Sequence, residues 1–395
     1  MPTENNAPAP FRLGIETFLK EKPLRDIKGC RVGLVSHLAA VDQTGATTAQ
    51  RLYNNTNVRL SCLMGPEHGY FGGAAAGETC RSQKHPDWNI PIYSLYGKTR
   101  KPRSQWLRNL DLIVVDLQDL GCRAYTYCAT LKLVLQSAAE AALPVIVLDR
   151  PIPLPCSVDG PILDDAFESF VSALKTPVVN GMTPGETAIW LQRTCIHDLD
   201  LTVIPMQGYH RETKSHPDRP PFMRPSPSIV SRESAICFPA TVFLEGLPHI
   251  DHGRQTDMPF QLVAASWTRS EPLAEALNAS RLPGVAFHPH RYLPPGKRQQ
   301  LAGVRITITN PARYRPVLTG ITMLSVMAML YGNDRIWNRR HIRTRFFDQL
   351  MGTDTVRLAL LDNTPPTSIS TNWKKTTRIF HMQRRKSLLY PNKPE

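Results

Sequence analysis

The sequence lacks the long apolar segments that would place it in a membrane. No run approaches the roughly 18 apolar residues that a membrane-spanning helix needs. The first residues also have neither the basic nor the apolar segment of a secretory signal. We find no internal repeat and no low-complexity tract, so we expect a globular chain with no membrane association.

The sequence contains cysteines, but they do not have the spacing of a zinc-binding motif. The eight cysteines form no CxxC pair, which argues against a zinc site of the finger type. Because no export signal is recognisable, we interpret them as reduced and mostly buried thiols. We therefore expect a cytoplasmic protein, with a periplasmic or secreted one as the alternative.

The sequence also lacks several motifs that are typical of cofactor sites or catalytic nucleophiles. There is no Walker lysine pattern, no GxGxxG fingerprint, no HExxH and no GxSxG elbow. We therefore expect no nucleotide, no metal and no other cofactor, and no serine or cysteine nucleophile. The net charge of +14 would suit a protein that binds nucleic acid. However, the basic residues near the C-terminal end of the sequence alternate with apolar residues typical of a core. We interpret them as a solvated surface and expect no nucleic-acid partner.

Short aliphatic runs and helical patterns alternate through the first half of the chain. This alternation predicts an α/β fold with a Rossmann-like, doubly wound parallel sheet. The predicted strands cover 30–36, 58–64, 111–116, 144–149 and 199–205, and the helices cover 47–53, 126–142 and 185–195.

The second half is less regular and follows a polar, proline-rich stretch at 209–227. A strand near 304–309 and a helix over 316–331 indicate a mixed α+β composition, with short helices near 346–350 and 355–361. We therefore predict a catalytic α/β domain over 12–212 and a smaller α+β domain over 213–395 that completes a cleft.

Ionisable side chains follow the predicted strands, where a parallel sheet binds its ligands. Glu67 and His68 lie in Gly65-Pro-Glu-His-Gly after the second strand. The residues after the third strand include Asp116, Asp119, Arg123 and Tyr125, and the fourth ends at Asp149-Arg150. Carboxylates for proton transfer, tyrosines for ring contacts and arginines for an anionic substituent suit a sugar substrate.

Structural explanations compete with these functional ones. Glu67 and His68 would serve equally as turn residues that satisfy local backbone groups. Asp119 would cap the following helix, Arg123 would pair with Asp116, and Asp149-Arg150 would form a buried ion pair. A metal site built from His68, Asp116 and Asp119 is a weaker hypothesis.

Several longer sequence motifs are spread over nearly the whole chain. They are Gly65-Pro-Glu-His-Gly, Ala76-Gly-Glu, Pro91-Ile-Tyr-Ser-Leu-Tyr-Gly, Arg100-Lys-Pro, the segment 116–127, Val147-Leu-Asp-Arg-Pro, Gly181-Met-Thr-Pro-Gly-Glu, Pro225-Ser-Pro-Ser and Phe243-Leu-Glu-Gly. In this respect the sequence resembles a bacterial family whose characterised members are exo-β-N-acetylmuramidases. The resemblance implies a Rossmann-like part, a barrel-like second part, an active site between them, and Glu67 as the catalytic carboxylate.

The resemblance predicts a glycoside hydrolase that releases N-acetylmuramic acid from the non-reducing end of peptidoglycan fragments, as in cell wall recycling. We assign Asp116 as the second catalytic candidate. The candidate substrate-binding residues are His68, Tyr96, Asp119, Arg123, Tyr125, Asp149, Arg150, Glu245 and Arg254. Of these, Arg254, Arg123 or Arg150 would hold the lactyl carboxylate. Because residues 246–256 depart from the family's pattern, the alternative is a non-catalytic protein that binds muropeptides or sugars.

Overall fold

The structure is a computed structural model that describes residues 10–20, 27–211, 222–338 and 340–390. The predicted domain boundary between residues 212 and 213 lies outside the described residues. Two sheets carry the fold, a large one formed by the first half of the chain and a smaller one formed by the second half.

A seven-stranded sheet forms the centre of the first half, in the order β3-β4-β2-β1-β5-β6-β9. Its strands are β1 Arg31–Ser36, β2 Arg59–Gly65, β3 Gln83–Lys84, β4 Pro91–Ser94, β5 Leu112–Asp116, β6 Val145–Leu148 and β9 Leu201–Ile204. All neighbours pair in parallel except β3 and β4. The chain winds outward in both directions from β1, which confirms the predicted α/β fold with a doubly wound parallel sheet.

Local signals in the sequence explain where the surrounding helices begin. The helices of this half are α1 Gly14–Lys20, α2 Thr48–Tyr53, α3 Ser104–Leu107, α4 Tyr127–Glu140 and α5 Pro184–Thr194. Thr47 with Gln50, and Thr183 with Glu186, form capping boxes that satisfy the free amides at the starts of α2 and α5. Among the predicted elements, the five strands and three helices of this half are confirmed.

The second half is α+β, as predicted. The antiparallel strands β10 Leu262–Ala265, β12 Leu301–Ile308 and β11 Val285–Tyr292 pair in that order, while β7 Asp159–Ile162 and β8 Pro177–Val179 form a separate pair. The helices are α6 Arg232–Thr241, α7 Ser270–Ala279, α8 Pro316–Tyr331, α9 Asn333–Trp337, α10 Thr344–Met351, α11 Thr355–Leu361 and α12 Pro366–Arg384. Within the described residues this sheet is three-stranded and open, so the barrel-like closure is not seen there.

The two halves share one hydrophobic core. A single cluster of buried side chains runs from Val115 and Leu135 of the first half to Val304 and Ile321 of the second. The chain end also returns to the first half, where Tyr390 packs with the other face of the large sheet. This shared core fixes the orientation of the two halves and therefore the shape of the cleft between them. No helix in the described ranges is long and apolar enough to cross a membrane.

Candidate active site

The turn after β2 places Glu67 at the carboxyl edge of the large sheet. His68 and Gly69 both have positive φ, 72° and 77°, so the chain reverses sharply after the strand. Gly65 permits this reversal, because a Cβ there would lie 2.3 Å from the Tyr70 nitrogen. The turn directs the Glu67 side chain to one side of the strand end, where its carboxyl group lines a cavity.

Two hydrogen bonds fix the carboxyl group of Glu67, a buried residue with 7% of its surface exposed. The Gly77 amide donates to Oε1 at 2.9 Å, and the Thr126 hydroxyl donates to Oε2 at 2.7 Å. Tyr96 lines the same cavity, and burial followed by the charge of Glu67 raises the pKa of Tyr96 to about 12. The carboxyl group therefore has a defined orientation.

His68 holds the glycine-rich segment that follows it. Its Nδ1 lies 2.8 Å from the Ala74 carbonyl oxygen, which can only accept, so Nδ1 carries the proton. Burial lowers the pKa of His68 below its usual value, which favours the neutral ring. The contact keeps the segment in place over Glu67, with Gly77 close enough to donate to it.

The cavity beside Glu67 has a volume of about 590 Å³ and lies between the two halves of the chain. We call it the Glu67 cavity. It is lined by two carboxylates, three arginines, and aromatic and hydroxyl side chains. The first half contributes Glu67, His68, Tyr96, Arg100, Tyr125, Thr126 and Phe170, and the second contributes Ser226, Ser228, Glu245, Arg254, Phe260, Arg343 and Phe346, among others.

Glu245 and two arginines form the wall opposite the first half. Arg254 Nη1 donates to Glu245 Oε1, and Arg343 Nη2 donates to the Glu245 carbonyl oxygen. Burial raises the pKa of Glu245, the charges of Arg254 and Arg343 oppose this, and the charge of Glu67 adds to it. The structure therefore brings Glu245 and Arg254 into one cavity with Glu67, His68, Tyr96 and Tyr125.

Asp116 and Arg150 do not line this cavity together with Glu67. Asp116 is fully buried and forms an ion pair with Arg150, with Nη2 at 2.9 Å from Oδ2. Thr48 donates to the same carboxylate, and Arg150 Nη1 donates to the Val41 carbonyl at 2.8 Å. We therefore correct two expectations: Asp116 is not a second carboxylate facing Glu67, and Arg150 is committed to Asp116.

Asp149 and Arg123 also have partners within the protein. Asp149 accepts from Thr183 and Tyr390 hydroxyls at 2.8 and 2.7 Å, as well as from backbone amides. Arg123 donates to backbone carbonyls, including that of Met351 at 2.6 Å, and thereby ties the first half to α10. Neither residue lines the Glu67 cavity, so their predicted substrate contacts are corrected as well.

Asp119 is buried in the loop after β5 and accepts from the Gly121 amide at 2.7 Å. It therefore stabilises a turn before α4, which differs from both the predicted helix cap and the predicted substrate contact. Burial raises its pKa to about 7.

Sequence reasoning missed several residues of the cavity. Arg100 stood in the Arg100-Lys-Pro motif but was not assigned a role, and Thr126 stood next to Tyr125. Phe170 and Arg343 carried no local signal. They lie in irregular chain or at a helix start, and only the tertiary fold brings them to Glu67.

This arrangement defines a class of protein. A buried but accessible carboxyl group, a second carboxylate, aromatic faces and arginines in one cleft are the groups that a carbohydrate-active hydrolase needs for an anionic sugar. Among the described residues, no group of three His, Cys, Asp or Glu side chains is placed to hold a metal ion.

The family follows from comparison with known proteins. Residues 32–233 match the model "Exo-beta-N-acetylmuramidase NamZ, N-terminal", and residues 236–390 match the corresponding C-terminal model. The chain therefore belongs to the exo-β-N-acetylmuramidase family, and it is a glycoside hydrolase.

Individual relatives agree with this assignment. The chain is 35% identical over 381 residues to the peptidoglycan β-N-acetylmuramidase NamZ of Bacillus subtilis strain 168, covering 95% of this chain and 91% of that protein. A crystal structure of a DUF1343 family protein from Bacteroides fragilis matches with a TM-score of 0.89 at 32% identity, over 96% of this chain and 99% of the other. A second protein of the same family and organism matches with a TM-score of 0.75 at 25% identity, over 97% and 100%.

Proposed function

We propose that this protein is an exo-acting β-N-acetylmuramidase that releases N-acetylmuramic acid from the non-reducing end of peptidoglycan fragments. The observation that carries the proposal is the Glu67 carboxyl group at the wall of the cleft between the two halves. The relative in Bacillus subtilis carries this activity in its name. A cavity of about 590 Å³ has room for a sugar ring with its substituents.

In this proposal Glu67 donates a proton to the glycosidic oxygen as the bond between C1 and that oxygen breaks, and water supplies the hydroxyl group that C1 gains. The Thr126 hydroxyl and the Gly77 amide hold its carboxyl group at hydrogen-bond distance, which keeps it aimed at the substrate. Tyr96 and Tyr125 contact the sugar ring, and the arginines of the cavity offer partners for its carboxylate. A correctly positioned acid of this kind contributes about 10²–10⁴-fold to the rate.

The proposal is tested with a chromogenic aryl N-acetylmuraminide and with a defined muropeptide disaccharide. The wild-type chain should release the terminal N-acetylmuramic acid from both. The Glu67→Gln variant keeps the size of the side chain but removes the acid, and we expect its kcat to fall by at least about 100-fold.

Glu78→Gln is the matched control, because Glu78 is exposed and contacts only the nearby Ala75 amide among the hydrogen bonds described. Its rate should stay within about threefold of the wild type, as for an ordinary surface substitution. Equal rates for Glu67→Gln and wild type would remove Glu67 from the reaction. Binding of muropeptides without any turnover would favour the non-catalytic alternative.

We also propose that the protein acts in the cytoplasm on imported wall fragments, as part of cell wall recycling. Four cysteines, Cys62, Cys122, Cys128 and Cys237, are buried thiols outside any disulfide, which suits a reducing compartment. Fractionation of the producing cell should place the protein with cytoplasmic markers. Its recovery in the periplasm or medium would contradict this localisation.

A further inference from the structure

The three arginines of the Glu67 cavity differ in how far their hydrogen-bond donors are already used. Arg254 is paired with the Glu245 carboxylate, and Arg343 donates to the Glu245 carbonyl. Arg100 also lines the cavity, yet it forms no hydrogen bond and no ion pair with any residue in the described ranges. Its donors are therefore available to a ligand.

Aromatic rings hold the Arg100 guanidinium in place. Its Cζ lies 4.5 Å from the centre of the Phe170 ring and 5.6 Å from that of Tyr96. Both distances are within the roughly 6 Å over which a cation is attracted to an aromatic face. Such contacts use the flat face of the guanidinium and leave the N–H groups at its edge free. Arg100 is thus positioned before any ligand arrives.

Tyr96 connects this arginine with the proposed acid. Tyr96 lines the cavity beside Glu67, close enough for the charge of Glu67 to raise its pKa, and its ring centre lies 5.6 Å from the Arg100 Cζ. An anion held by Arg100 would therefore lie in the same cavity as the carboxyl group of Glu67. The two groups can thus contact different parts of one sugar.

We propose that Arg100 determines substrate specificity by binding the lactyl carboxylate of the muramic acid, an inference that rests on the proposed function. N-Acetylmuramic acid differs from N-acetylglucosamine by a lactyl ether on O3 that ends in this carboxylate. A guanidinium fits a carboxylate with two parallel hydrogen bonds. Arg100 would thus favour muramic acid over the neutral sugar.

The test compares two substrates that differ in charge, an aryl N-acetylmuraminide and the same compound with its lactyl carboxylate converted to a primary amide. Arg100→Gln should lower kcat/KM for the acid by about 10–100-fold, the effect of a charged hydrogen bond. For the amide the change should stay below about threefold. Arg100→Lys should recover part of the loss, because it keeps the charge but not the paired donors.

Arg103→Gln is the matched control. Arg103 lies near Arg100 in sequence and rests 5.5 Å from the Trp106 ring, but it does not line the cavity. The Arg103→Gln variant should leave the ratio of kcat/KM for the acid to kcat/KM for the amide unchanged. Equal losses on acid and amide in Arg100→Gln would overturn the proposal, since a purely structural role would affect both. A loss of discrimination in Arg343→Gln instead of Arg100→Gln would overturn it too.

Calorimetry separates this inference from the proposed function. Free N-acetylmuramic acid and its lactyl amide are titrated into the wild type and Arg100→Gln. The role of Arg100 is supported if the wild type binds the acid more tightly than the amide and Arg100→Gln does not, even if no substrate is turned over. Equal preference in both proteins refutes it, even if the chain proves to be an active muramidase.

Discussion

Two sets of carboxylates and arginines lie near the carboxyl edge of the large sheet, and they have opposite surroundings. We call the first the buried edge network, made of Thr48, Asp116, Asp149, Arg150 and Tyr390. Its members bond to one another and to the backbone, and its charged members are at most 2% exposed. The second is the set that lines the Glu67 cavity, where at least one arginine keeps its donors free.

The difference teaches that position at a strand end is not enough to identify a functional residue. Glu67 follows β2, Asp116 ends β5 and Asp149 follows β6, so all three lie at the same edge of a parallel sheet. They diverge because Glu67 lines the cavity between the two halves, whereas Asp116 and Asp149 are fully buried. Fully buried polar groups must find partners within the protein.

The largest expected effect is the loss of stability in Asp116→Asn. The substitution leaves Arg150 buried without its counter-charge, which typically costs about 3–5 kcal/mol. Urea denaturation should therefore show a strongly lowered free energy of unfolding. An unchanged value would mean that the buried edge network is not structural, and would return Asp116 to the list of catalytic candidates.

A pH effect should follow from Asp119, another buried carboxyl group outside the cavity. Its pKa of about 7 in the folded chain exceeds the value of about 3.9 for an exposed aspartate. Between these pH values the folded state binds more protons, so the free energy of unfolding falls as the pH rises.

The variant Asp119→Asn isolates this contribution. The difference in free energy of unfolding, wild type minus variant, should decrease between pH 4 and 7 by an amount on the order of 3 kcal/mol. Denaturant titrations at several pH values measure it, and a difference independent of pH would contradict the burial argument.

A smaller loss of stability is expected for Tyr390→Phe. The Tyr390 hydroxyl donates to Asp149 at 2.7 Å and accepts from the Met206 amide at 2.8 Å. Removing it leaves buried partners unsatisfied, which costs about 1–3 kcal/mol. Thermal unfolding should show the loss, while kcat per folded molecule stays the same. A selective fall in kcat would link the network to the cavity.

Much of the fold was predictable because local signals specify it. Near-continuous aliphatic runs such as 112–116 indicate strands buried on both faces, and the capping boxes mark the starts of α2 and α5. Short strands such as β4, Pro91–Ser94, were missed because their apolar pattern is too brief to distinguish from loop. The shared core between the halves was missed because no local signal encodes it.

The site was predictable only where a motif carried it. Glu67 and His68 stood out because two glycines and a proline enclose them. Asp116, Arg123 and Arg150 carried an equally polar signal, yet their partners are distant in sequence, such as the Met351 carbonyl 228 residues from Arg123. Arg343 reaches the cavity in the same way, through contacts that only the folded chain creates.

The central claim is that the acid facing the Glu67 cavity does the chemistry while the buried edge network supports the fold. The most direct measurement compares kcat for Glu67→Gln and Asp116→Asn on an aryl N-acetylmuraminide, each divided by the folded fraction. We expect at least about a 100-fold loss for Glu67→Gln and a change of less than about threefold for Asp116→Asn. Full activity in Glu67→Gln, or an equal loss in both, would contradict the account.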